Sequence, residues 1–519
     1  MADAILSGGT ASGGGTSGSS GAGLPPSNCK NLEITKSGTT VQLSWVDPGD
    51  TIVDGQILCS QKGTKIVRKV GSFPTSPTDG TLIVDSTIKN AYAETPYNDI
   101  VENEETEYYY RAFPYSANGV YNLDERNNFG AVIYGFWIDK LDPNPETRVH
   151  YIEENENFNP GRMNYTSGAF ELNEWKDAFF VKKNRPVMLK NDGSVDYELH
   201  PTNLALRADG ETSDITNTAY EGNAMSGIPL CWLKIINEAT KITVRVSNKQ
   251  VDSSYKAYAH TNKDGDIIPE IFLPIYEGSI ISNVMRSLSG QRPSSSTTSA
   301  TERTAAVANG DYWFTRDLSS EMLIRILLIL ISKTTDSQKA FGNGHYSGGT
   351  QASHLHTTGA GNEKGQFWGS TGNEVVVLFY MQNWYGDRWD RIAGWINDNG
   401  TQKIKLTYGT QDGSTTTGYN ETGAGYIAIG AAPSGTSGGY ISKCVGNEYG
   451  IFPQVASGSS STFECDGFWY NNGQINYALV GGYCDNGLLV GAFASNLDDA
   501  PSNSNWDIGA SLSCKPPLQ

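Results

Sequence analysis

The chain has 519 residues, among them 58 glycines, 27 tyrosines and 11 tryptophans; this length exceeds one ordinary hydrophobic core, and the composition favours β-architecture with long connections over helical bundles. A formal net charge of -18, with no local Lys/Arg cluster to offset it, excludes nucleic acid and anionic membrane surfaces as partners. The seven cysteines are widely spaced without a C-x-x-C pair and read as free thiols, not as zinc ligands or redox pairs.

The N-terminal "MADAILSGGT" lacks the basic and apolar regions of a secretory signal, so a product that stays in the cytosol where it is made is expected. Residues 1–24 are almost entirely Gly, Ser, Ala and Thr and read as a flexible leader that cannot bury enough surface to offset its ordering entropy. Order is expected from "LPPSNCKNLEITKSGTTVQLSWVDPGDT", where Leu32 and Ile34, then Val41, Leu43 and Trp45, alternate with polar residues across a "KSGTT" turn. A later strand, "EYYYRAFPYSANGVY", sets Tyr108, Tyr110 and Ala112 on one face and Tyr109, Arg111 and Phe113 on the other, and ends in an "NG" turn.

The leading prolines, the strand-borne Trp45 followed by "DP", and the tyrosine-rich late strand resemble a fibronectin type III domain over residues 25–130. That resemblance implies a β-sandwich serving as a spacer or docking module. Residues 131–219 read as a β-rich connecting region, with "KNDGS" at 190–194 a hairpin turn. "NKDGDIIPE" at 262–270 lacks the full calcium-loop pattern and reads as a turn.

"DLSSEMLIRILLILISK" predicts a helix with Ser319 as N-cap, Glu321 in the first turn and Lys333 near the end. Its apolar residues surround the axis, so it should be buried on most sides; at about half the bilayer-spanning length, and carrying Arg325, it is no membrane span. His354 and His356, with His345 nearby, lie in a Gly/Thr-rich stretch without the usual ligand spacing and read as a solvated loop, so no metal and no cofactor are expected. "GDRWDRIAGWI", ending at Ile396, reads as a second helical stretch, followed by short glycine-separated strands.

"SGQRP", the apolar helix, "QKAFGNG", "QNWYGDRWDRIAGWI" and "NSNWDIGASLSCKP", in that order, resemble the C-type-lectin-fold proteins of phage tails and other virion parts, related to the formylglycine-generating-enzyme fold and including variable proteins diversified by retroelements. The resemblance covers residues 220–519, and 131–219 more weakly. It places the Ser/Thr-rich segment 289–303 inside the domain. The expected fold class is therefore mainly β with an α+β C-terminal domain: a fibronectin III-like sandwich, then a C-type-lectin-like fold. Trp384, Trp389, Trp395 and Trp506 read as core anchors of that domain.

The resemblance implies a receptor-binding face at Phe468, Trp469, Tyr470, Asn471, Asn472, Gln474, Ile475 and Asn476, then at Tyr483, Cys484, Asp485, Asn486 and Leu489, and at Asp498. Tyr470, Ile475, Tyr483, Asp485, Leu489 and Asp498 are compatible with adenine-directed diversification of asparagine codons. Independently of any family, rigid aromatic faces beside amides suit recognition without reaction. The implied protein is a virion component on tail or capsid, assembled in the host cytoplasm, homotrimeric, and bound to a bacterial surface glycan or protein and to other virion proteins. The alternatives are an architectural capsid decoration or tail protein with no ligand, and a glycan-acting enzyme using Glu464 with Asp466 or Asp387 with Asp390. The parent fold's oxygenase uses a cysteine pair, to which no two of Cys465, Cys484 and Cys514 could be matched, so no enzymatic activity is expected.

Overall fold

The computed structural model describes residues 23–53, 56–408, 411–413 and 418–518. The chain is mainly β, with 39% strand and 10% helix. The expected leader, 1–24, lies almost wholly outside the described residues. Two compact units divide the chain, Met1–Ala131 and Val132–Gln519.

In the first unit, strands Lys30–Ser37, Thr40–Val46 and Tyr97–Ile100 form one antiparallel sheet, and Thr81–Ser86, Gln61–Val70 and Tyr108–Ser116 a second. The "KSGTT" turn closes the first pair, with Ser37 opposite Thr40 and Gly38 at φ +56°, a conformation easiest without a Cβ. Side-chain alternation then sends Val41, Leu43 and Trp45 into one core with Ile66, Tyr110 and Ala112. Tyr108–Ser116 buries its other face too. There Arg111 donates to the Pro74 carbonyl at 3.0 Å and lies 5.2 Å from the Phe113 ring centroid, so loop 71–80 covers what would otherwise be a solvated face.

The second unit is organised around helix Leu318–Ser332, every residue of which is buried, as its all-round apolar sequence requires. Its N-cap is Asp317 and not the expected Ser319: the Asp317 carboxylate accepts from the Ser320 N–H at 3.2 Å. A carboxylate also suits the positive end of the helix dipole. Lys333 closes the helix in the left-handed region at φ +53°. The two charges inside the helix pair with each other, Arg325 Nε to Glu321 Oε1 at 2.6 Å, and Arg316 reaches Glu321 at 3.1 Å. Tyr134, Trp175 and Phe180 share the helix's core with Trp384, Trp395 and Phe452, so the region read as a connector, 131–219, is built into the same hydrophobic interior. The Ser/Thr-rich segment also lies within this unit; helix Ser299–Val307, capped by Thr298, begins inside it and runs four residues beyond it.

Two large sheets flank this core. One runs in the order Asn203–Arg207, Val195–His200, Arg185–Lys190, Gly222–Pro229, Glu270–Pro274, Leu512–Cys514, Trp313–Thr315; the expected "KNDGS" hairpin joins its second and third members. The other carries Trp389–Asp398, Ile475–Val480, Ser495–Leu497, Gly467–Tyr470 and Gly438–Asn447 as successive neighbours.

Trp389–Asp398 corrects the expected second helix. Its charges find partners off the strand: Asp390 with Arg316 at 3.1 Å and Arg388 at 2.8 Å, and Arg391 with Glu302 at 2.9 Å. With the charges neutralised internally, no solvated helix face is needed. Gly394 at φ +85° and a register shift between Arg391 and Ile396 are incompatible with a continuous helix. Among the described residues no helix is long and apolar enough to cross a membrane. The seven cysteines are free and buried, and Asn262, Asp264 and Gly265 form the expected turn.

Candidate functional site

Strand Gly467–Tyr470 pairs in parallel with Ser495–Leu497 and antiparallel with Gly438–Asn447. Its three consecutive aromatics must therefore point alternately. Phe468 and Tyr470 go inward, at 0% and 9% exposure, and the Tyr470 hydroxyl donates to the Gly435 carbonyl at 2.9 Å. Trp469 goes outward and is half-buried. A Cβ at Gly438 would stand 2.6 Å from its ring, and one at Gly467 2.4 Å, so both glycines make room for the indole.

Trp469 meets Trp389 edge to face, with centroids 5.5 Å apart and planes at 89°. Tyr483 lies 6.4 Å from Trp389 on its other flank and packs edgewise on Trp506 at 5.5 Å. Trp389 is buried, while Trp469, Tyr483 and Trp506 are each half-buried. One interior indole thus holds a row of ring edges and faces at the surface. Trp384 and Trp395 are core residues, as expected; Trp506 is not, and joins the exposed row.

Four residues read as receptor-binding are interior and are corrected: Phe468, Tyr470, Asn476 and Cys484. Asn476 is a turn brace, its Nδ2 donating to the Asn471 carbonyl at 2.7 Å. Asn471, Asn472, Gln474 and Asp485 are exposed, and Ile475, Asn486, Leu489 and Asp498 are half-buried. Much of the amide chemistry is already engaged. Asn471 Oδ1 accepts from Gly473 N at 2.8 Å, Asn472 Nδ2 donates to the Pro433 carbonyl at 3.2 Å, and Gln474 Nε2 donates to Asn476 Oδ1 at 2.6 Å. These bonds fix the 471–476 turn, so its amides shape the surface more than they offer free hydrogen-bonding groups. Tyr483 N donates to Asn486 Oδ1 at 3.0 Å, closing the second turn, where Leu488 is 46% exposed.

Two carboxylates of this region are perturbed, and one of them, Asp507, neighbours Tyr483. Burial lifts Asp507 to about 6, and burial together with Asp499 lifts Asp498 to about 6. Asp507 Oδ1 has no hydrogen-bond partner among the described residues. Asp507 and Leu488 were not among the residues read as the face, although Leu488 directly precedes Leu489 and Asp507 directly follows Trp506.

Three of the four carboxylates considered for hydrolysis are tied up. Glu464 is in a buried ion pair with Arg148 at 3.0 Å, Asp390 lies between Arg316 and Arg388, and Asp466 accepts from Phe493 N at 2.8 Å while burial raises its pKa well above the carboxylate range. A cavity of about 440 Å³, lined by Tyr258, Asn262, Tyr408 and the Lys515–Asp317 pair, includes none of the residues read as receptor-binding.

The solvated-loop reading of the histidines holds for His354 alone, which is exposed. His345 is buried and stacks on half-buried His356, with centroids 3.4 Å apart and planes at 5°. His345 Nδ1 makes a very short contact with Asp387 Oδ1, and the His356 N–H donates to the same oxygen at 2.8 Å. Burial, and then the neighbouring His345, pull the His356 pKa down. Asp387 comes from a segment some thirty residues on, which is why spacing alone concealed the cluster. The nearby Cys484 thiol, pushed up to about 12 by burial and Asp387, stays protonated near neutrality and supplies no thiolate. No protein-family model matches the chain, and no curated protein sequence matches it significantly.

Proposed function

We propose that the chain is a virion receptor-binding protein: a fibronectin-like module followed by a C-type-lectin-like domain whose C-terminal surface binds a bacterial surface ligand. The supporting observation is the row Trp469, Tyr483 and Trp506 held at the surface by buried Trp389. Rings fixed by packing offer contact area with little side-chain entropy left to lose, which suits stacking on sugar faces or apolar side chains. In the first unit, two three-stranded sheets over a Trp45-centred core support the fibronectin-like reading. Helix Leu318–Ser332 buried beneath irregular strands, and a C-terminal strand paired inside the sheet, support the lectin-like one. Several weak sites on one particle gain roughly 10² to 10⁴ in avidity where geometry allows joint contact. A trimeric mass by light scattering is expected.

The test uses the labelled full chain on a panel of bacterial strains and on a glycan array. Binding is expected to some of them, lost in Trp506→Ala and Tyr483→Ser with the melting temperature nearly kept. Absence of binding across both panels, or binding indifferent to both substitutions, overturns the reading.

The architectural alternative has its own observation. Ile52 and Ile57, on hairpin Thr51–Val53/Gln56–Cys59, are 60% and 61% exposed, the kind of apolar surface that docking onto another virion protein would cover.

A further inference from the structure

We propose that His345, His356 and Asp387 form a binding site for one divalent transition ion of the zinc class, lying under the 483–489 turn. Each residue offers one ligand atom, and the three atoms lie within 4.8 Å of one another. Two imidazoles and a carboxylate are the donor set that holds zinc or ferrous ions with coordination positions left open.

Backbone bonds tie the segments carrying His345 and Asp387 to each other. The Asp387 N–H donates to the His345 carbonyl at 2.8 Å, residues 345 and 386 form a parallel bridge, and Asp387 itself is left-handed at φ +58°. A Cβ at position 348 would stand 2.5 Å from His345 Nε2, so glycine there lets the chain cross the ring.

The second observation is a charge that lacks its compensation. Asp387 is fully buried, yet its Oδ2 has no hydrogen-bond partner among the described residues. Glu277, 4% exposed, has an unpartnered Oε1 and its nearest cation, Arg388, is 4.0 Å away and committed to Asp390 at 2.8 Å. Buried carboxylate oxygens without partners are costly, and a divalent cation is the compensation that nearby imidazoles would also ligate. Glu277 and His356 line one small recess with Asn383 and Gln382, with a volume of about 10 Å³, room for about one water as a further ligand.

Binding requires a local rearrangement. Bonds of about 2.1 Å in tetrahedral geometry put ligand atoms about 3.4 Å apart, with the ion in the plane of each imidazole. Rings stacked in parallel cannot both meet that condition, so His356, the half-buried partner, must swing out of the stack. The consequence reaches the recognition surface. The Cys484 N–H donates to the Asp387 carbonyl at 2.9 Å and the Gly487 N–H to the Tyr346 carbonyl at 3.0 Å, so an ion that fixes Asp387 and the 345–349 segment also stiffens the turn carrying Tyr483. The ion site itself does not depend on the receptor-binding reading.

The test titrates chelator-treated, untagged full chain with zinc sulfate by calorimetry, counts bound zinc by mass spectrometry, and uses cobalt(II) absorption to report coordination. One zinc per chain, a rise in melting temperature with zinc but not with calcium, and an intense cobalt band typical of low coordination number are expected. His356→Ala and the gentler His356→Gln should each weaken binding by about tenfold or more, and Asp387→Asn likewise, whereas His354→Ala, at the exposed neighbour, should leave it unchanged. No zinc binding at millimolar concentration overturns the proposal, as does binding that survives the His356 substitutions or falls with His354→Ala.

Discussion

Neighbouring residues Phe468 and Trp469 provide a direct test of how the C-terminal face is built, because one backbone step separates interior from surface. Phe468 is 0% exposed. Replacing it with lysine removes a buried ring, a loss of about 3–5 kcal/mol, and adds the penalty of an unpartnered ammonium in the core, several kcal/mol more. Together these approach the total stability of about 5–15 kcal/mol of a typical domain, so Phe468→Lys is expected to give no cooperatively folded protein. Trp469 faces out and is half-buried. Half of an indole's burial of about 200 Å², at about 25 cal/mol per Å², is about 2.5 kcal/mol. The lysine stem recovers part of that by lying along Trp389 with its charge in water, so Trp469→Lys should cost about 1–2 kcal/mol and remain folded. Soluble yield, near-ultraviolet circular dichroism and the urea midpoint separate the two. If both variants unfold alike, the indole is core and the proposed recognition surface loses its first anchor; if Phe468→Lys folds normally, the strand's facing is wrong.

Tyr470→Phe deletes only the hydroxyl bonded to the Gly435 carbonyl and should cost about 1 kcal/mol in the urea midpoint, with binding to cells unchanged because the residue faces the core. Arg316→Ala removes one of the two cations beside each of buried Asp390 and Glu321, leaving Arg388 and Arg325 in place, and should destabilise by about 1–3 kcal/mol, a loss that Arg316→Met, equally uncharged, would not relieve. Asp507 has its folded-state pKa raised to about 6, so its contribution to stability is fully present below the unfolded carboxylate pKa of about 4 and is lost as pH rises through about 6. Asp507→Asn should therefore stabilise the protein at pH 8 by about 1–2 kcal/mol after allowance for solvent screening, with little effect at pH 4; equal effects at both pH values would show that charge is not the cause.

Patterns confined to one segment were legible before the fold was known. Val41, Leu43 and Trp45 alternate, and they line one core; the helix Leu318–Ser332 is apolar all round, and it is buried all round. The stretch 386–396 was misread because its two arginines and two aspartates suggest a solvated helix face, while the residues that neutralise Asp390 and Arg391, namely Arg316 and Glu302, lie more than seventy positions upstream. Charge pairing of that kind is a property of the tertiary structure, and no local period encodes it. The same holds for Asp317, which caps the helix while also pairing with Lys515 near the chain end at 2.9 Å.

The face read as receptor-binding divides along a similar line. Aromatic and amide content marked residues 468–476 correctly as unusual, but content cannot tell a ring that closes the core from one that a ligand can touch. In a strand that decision falls to parity. Trp469 is outside because Phe468 and Tyr470 on either side are inside, and parity was set by pairing with Ser495–Leu497 and Gly438–Asn447. Asp387 is the extreme case. It looked like half of a carboxylate pair with Asp390, but a left-handed turn at φ +58° parts their roles: Asp390 enters the strand and meets two arginines, while Asp387 turns toward His345 and His356. Two carboxylates three positions apart thus meet different partners, guanidinium groups for one and imidazoles for the other, and only the tertiary structure assigns them.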